Sequence, residues 1–138
     1  MTTILQKPLT FMSHPLLRYV YAVGYTAILL VILLQSSSQP VVGPSAPAGE
    51  PPLEREIMLI VGHVVGFSLL PLLWWWAFDS HLSFKQALII AVVIALFIGA
   101  FTEIAQADIP DRSASWFDLA VNWGMTMITA FFINRYAR

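Results

Sequence analysis

Four apolar runs, each about as long as a bilayer core is thick, restrict this 138-residue chain to very few folds. They cover roughly 16–34, 57–78, 86–105 and 115–133. At about 1.5 Å per residue, some 20 residues cross about 30 Å of hydrocarbon. Inside that hydrocarbon each backbone N–H and C=O must be met internally, so an apolar run of this length reads as a helix. The expected fold is therefore all-α, an integral membrane bundle of four transmembrane helices occupying 1–138 as a single domain. The composition agrees, with 58% hydrophobic and only 11% charged residues. Cys is absent, which excludes disulfides and thiolate metal or iron–sulfur chemistry from these residues.

The first run reads as a retained helix rather than a cleaved leader. It carries Arg18 and three tyrosines near its start and ends in Gln35-Ser-Ser-Ser-Gln39 without a small-x-small cleavage pattern. Segment 35–56 is rich in Pro, Ser and Gly and reads as an extended aqueous loop. The other connections are short, the last turning at Pro110-Asp111. Lys7, Arg18, Lys85, Arg135 and Arg138 fall on the side of the termini; Arg55 and Arg112 fall on the other, with most of the acidic residues. By the enrichment of Lys and Arg in cytoplasmic loops, both termini are expected to be cytoplasmic and the Pro-rich loop outside. Trp74, Trp75 and Trp76 would then sit towards the inner interface.

Polar side chains in or beside the spans need a reason to be there. His63 lies in the second span. Glu103 and Gln106 are an i, i+3 pair at the end of the third, and Asp118 and Asn122 an i, i+4 pair opening the fourth, just after Arg112. The topology gathers all six in the outer half of the bundle. Each has a structural reading beside its functional one. His63 can bond a neighbouring helix next to Gly62-x-x-x-Gly66, a close-packing pattern. Glu103 can pair with Arg112 or His63. Ser115-x-x-Asp118 resembles a capping box, and Arg112 can form an exposed ion pair with Asp111. Gln106 and Asn122 are adequate interhelical hydrogen-bonders. Pro71 should either kink the second span and make room for the cluster, or be a tolerated proline whose freed carbonyl is met by a side chain such as Ser68.

The ordered set His63-x-x-x-Phe67, Glu103-x-x-Gln106, Arg112-Ser113-Ala114-Ser115 and Asp118-x-x-x-Asn122 resembles the VanZ-like family of small membrane proteins, over about residues 30–130. The chain departs from that family's usual pattern in having Leu59-Ile60 where many members carry Asp-Lys, and only Gly124 of a glycine-rich stretch. The resemblance implies a four-span fold in a bacterial cytoplasmic membrane and a polar site. The members that give the family its name are associated with resistance to the glycopeptide antibiotic teicoplanin.

Two functions follow as expectations. In the first, the cluster binds or acts on an anionic lipid head group or envelope precursor. The start of the fourth helix and Arg112 would hold the anion, His63 and Glu103 would act as general acid and base, Asp118 would orient the His, and Gln106 and Asn122 would position substrate oxygens. In the second, the chain is a non-catalytic accessory subunit of a larger membrane complex, with the cluster as cement or docking site. Membrane lipids are partners in either case. Nothing basic enough for nucleic acid is present, and no cofactor is expected. One His and two carboxylates drawn from three helices are too weak a ligand signal to assign a metal.

Overall fold

The computed structural model describes residues 14–35, 53–109 and 112–137, the first four residues of the second helix by backbone alone. Four helices follow one another: α1 Pro15–Leu33, α2 Leu53–Phe78, α3 Phe84–Gln106 and α4 Trp116–Tyr136. All four are long and apolar enough to cross a membrane, and the chain is an integral membrane protein. The helix ends lie within two residues of the apolar runs, except that α2 begins four residues earlier, at Leu53, and α4 continues three residues further, to Tyr136. The Pro-rich stretch 36–52, Pro110-Asp111, Lys7 and Arg138, and the side chains of Arg55 and the nearby glutamates, lie outside the described residues.

The chain signals its helix ends locally. Pro15 opens α1, where its missing N–H is not needed. Before α3, the Ser83 backbone N–H and hydroxyl both donate to Gln86 Oε1, at 3.2 and 2.8 Å. Ser115 caps α4, its Oγ accepting from the Asp118 N–H at 3.2 Å.

α2 is the central helix and packs against the other three, while α3 and α4 also pack against each other. α3 can approach closely because one face carries Ala87, Ala91, Ala95 and Gly99, all buried and four residues apart. In lipid, where apolar surface gains little from meeting apolar surface, small residues allow the backbone proximity that dispersion needs. A Cβ on Gly99 would stand 3.3 Å from both Asn122 Cβ and Phe67 Cε1. The pattern at Gly62 and Gly66 is only half used. A Cβ on Gly66 would meet Leu29 Cδ1 at 2.6 Å, whereas nothing lies within 4 Å of one on Gly62. Leu29, Leu33, Phe67, Leu70 and Ala95 make the apolar core. Many larger apolar side chains, among them Phe97, Ile104, Phe131 and Phe132, are exposed, as lipid contact requires.

α2 runs unbroken through the buried Pro71. Ser68 does not meet the Phe67 carbonyl that a proline here leaves without its helical donor; its hydroxyl donates to Val64 O at 2.7 Å. The cross-helix donor in this region is the Tyr25 hydroxyl, 3.2 Å from Gly66 O.

Candidate functional site

The helices alternate in direction, so the ends of α1 and α3 and the starts of α2 and α4 meet at one end of the bundle, here called the loop end. At that end, α3 and α4 each spend their buried face on polar groups. Thr102, Glu103 and Gln106 are buried on α3, and Asn122 and Thr126 on α4. Both threonines are satisfied within their own helices, Thr102 by Gly99 O and Thr126 by Asn122 O. The longer side chains reach across.

The centre of the network is Asn122, with no exposed surface. Its Nδ2 donates to Glu103 Oε1 at 3.4 Å, and its Oδ1 lies 2.8 Å from His63 Nδ1. With Glu103 as acceptor, the amide turns its nitrogen towards Glu103 and its oxygen towards the ring. His63 Nδ1 must then carry the proton and donate. The ring's Nε2 is buried and has no hydrogen-bond partner among the described residues. His63 itself is 1% exposed and lies parallel to the Phe67 ring, centroids 6.4 Å apart. A buried polar atom without a partner is costly, so its presence calls for an explanation.

Glu103 joins the third element. Its Oε2 accepts the Ser115 backbone N–H at 3.0 Å. In a capping box that N–H would go to the residue three positions on, Asp118. Here the box is split: Ser115 Oγ takes the Asp118 amide, and Glu103 from α3 takes the place of the Asp118 carboxylate. One oxygen each of Glu103 and Asp118 and one ring nitrogen of His63 all lie within 4.8 Å of one another.

Gln106 and Arg112 also reach α1. Both donate to the same acceptor, the Leu33 carbonyl at the end of α1, from Nε2 at 2.9 Å and from NH2 at 3.2 Å. Helix C-termini leave carbonyls unmet, and these two side chains tie α1 to the α3–α4 connection. The structure thus brings together His63, Glu103, Asp118 and Asn122, and uses Gln106 and Arg112 as a clasp on α1. The Leu33 carbonyl was not among the groups singled out from sequence, where a backbone carbonyl carries no signal of its own; Ser115 is the cap expected there, and its contact with Glu103 is the part the sequence did not show.

A cavity of about 300 Å³ adjoins the triad between α3 and α4. Ala100, Ile104, Ala114, Trp116 and Leu119 line it, with Glu103 and Ser115 as the polar members of its lining. His14 and His81 lie at the opposite end and are exposed. No protein-family model, curated protein or solved structure matches the chain.

Proposed function

We propose that this chain is a VanZ-like protein of the bacterial cytoplasmic membrane that binds an anionic lipid head group, free or as a lipid-linked envelope precursor, at the loop end of its bundle. The termini face the cytoplasm in this reading, so the site opens to the outer leaflet. The observation that carries it is the α3–α4 cavity: a largely apolar groove suited to an acyl chain, with Glu103 and Ser115 as the polar members of its lining. Arg112, half-buried just before α4, and the positive end of the α4 dipole supply attraction for the anion. His63 and Glu103, linked through Asn122, are the groups through which a proton can be exchanged with a bound ligand. Asn122 sets their positions.

Trp116 lines the groove and is 88% exposed, which makes it a built-in probe. The protein is placed in lipid nanodiscs containing brominated phosphatidylglycerol or brominated phosphatidylcholine, and the fluorescence that disappears in a Trp116→Phe variant is followed. Phosphatidylglycerol should quench it at a lower mole fraction than phosphatidylcholine. Equal quenching by the two lipids would refute selective head-group binding. If the same protein instead leaves its own membranes only within a stoichiometric complex, the accessory-subunit reading takes its place.

A further inference from the structure

The split capping box leaves the Asp118 carboxylate unused by its own helix start. Beside it stand Glu103, 5% exposed, and a histidine whose Nε2 is buried and without a hydrogen-bond partner among the described residues. These groups come from α2, α3 and α4, and nothing in packing requires two carboxylates and a ring nitrogen to share one spot. We propose that His63, Glu103 and Asp118 bind a divalent cation of the zinc or manganese type.

Four features of the geometry fit a cation. The donor set is one imidazole nitrogen and two carboxylate oxygens, which suits zinc and manganese better than calcium or magnesium. The atoms lie within 4.8 Å of one another. Ligands about 2.0–2.2 Å from zinc in tetrahedral array sit roughly 3.4 Å apart, so closure needs about an ångström of side-chain rotation rather than helix movement. The supporting contacts are those that hold metal ligands in place: the His63 ring is held through Nδ1 by Asn122 Oδ1, and Glu103 is held from behind by Asn122 Nδ2 and Ser115 N–H. Each Glu103 oxygen keeps a second lone pair for the ion. Finally, the α3–α4 cavity reaches Glu103, one of the three residues.

The cation site does not depend on the head-group reading, although a phosphate entering the groove would then meet a cation in place of two bare carboxylates. The test uses metal alone. The full chain, purified in detergent and stripped with a chelator, is titrated with zinc chloride and separately with manganese chloride, and bound metal per chain is counted after gel filtration. One of the two should bind at one ion per chain, with affinity at least about tenfold weaker in Asp118→Asn and in Glu103→Gln. Asp118→Asn keeps the backbone amide that Ser115 caps, so this variant should fold and hold the test open if Glu103→Gln does not; far-ultraviolet circular dichroism checks both. Substoichiometric binding of both metals, or affinity unchanged in Asp118→Asn, would overturn the proposal. Since no lipid is added, this result and the quenching result can fail separately.

Discussion

The two ends of the bundle join their helices by different means. At the termini end the contacts are largely aromatic. Tyr19 packs edge-on against Trp74 and Phe78 and stacks on His81, to which its hydroxyl also bonds. Arg18 donates to Trp76 O at 3.1 Å and lies over that indole, 5.0 Å from its centroid. Most of these rings are only half-buried, although Arg18 Nε and Trp75 Nε1 are themselves buried without a hydrogen-bond partner among the described residues. At the loop end the contacts are directional and shared, and His63, Asn122 and Glu103 are all buried. An end that only needed to hold helices together could have been built like the first. That the second carries a shared network of buried side chains from three helices and a carboxylate spared from capping is the reason to assign it a ligand.

This contrast can be tested by substitution. The largest effect is expected at Asn122, because Asn122→Leu strips partners from both His63 and Glu103 and leaves them buried; it should destabilise by roughly 2–4 kcal/mol, read from unfolding in mixed detergent micelles. A loss under about 0.5 kcal/mol would mean the network is not a structural unit.

Gln106 and Arg112 come next. They share the Leu33 carbonyl, so either can partly cover for the other. Gln106→Leu and Arg112→Ala should each cost about 1 kcal/mol, and the double variant clearly more than their sum. Strict additivity would show that the clasp is not shared.

At the termini end, Trp74→Phe removes the indole donor to Thr26 Oγ1 at 3.1 Å while keeping a ring between Tyr19 and Phe78. About 1 kcal/mol is expected from thermal unfolding. Tyr19→Phe should be smaller still, within about 0.5 kcal/mol, because its hydroxyl partner His81 is exposed. If Tyr19→Phe proved as damaging as Asn122→Leu, the distinction between the ends would collapse.

The four spans were legible in the sequence because bilayer thickness fixes helix length and hydrocarbon excludes polar runs. Which end of the bundle the polar residues occupy was legible too, since short connections force antiparallel neighbours. Their pairing was not. Whether Glu103 meets Arg112, His63 or a backbone amide depends on helix rotation, and the structure chose the Ser115 amide and Asn122. Arg112 reads as a surface cation next to Asp111, yet it reaches the end of α1, 79 residues away. The packing face of α3 was overlooked because three of its four small residues are alanines, which in an apolar run look like any other hydrophobic residue. Gly62-x-x-x-Gly66 looked like a packing pair, but only Gly66 faces a neighbour.

The most direct test of a ligand site at the loop end is native mass spectrometry of the protein released gently from its own membranes, compared with an Ala114→Trp variant. Ala114 is exposed, lies outside the helices and lines the groove, so a large ring there should fill the cavity without disturbing the fold. The account predicts one retained anionic lipid per chain in the parent protein and none in the variant. A lipid held equally by both, or a parent chain that travels only in a large stoichiometric complex without bound lipid, would contradict it.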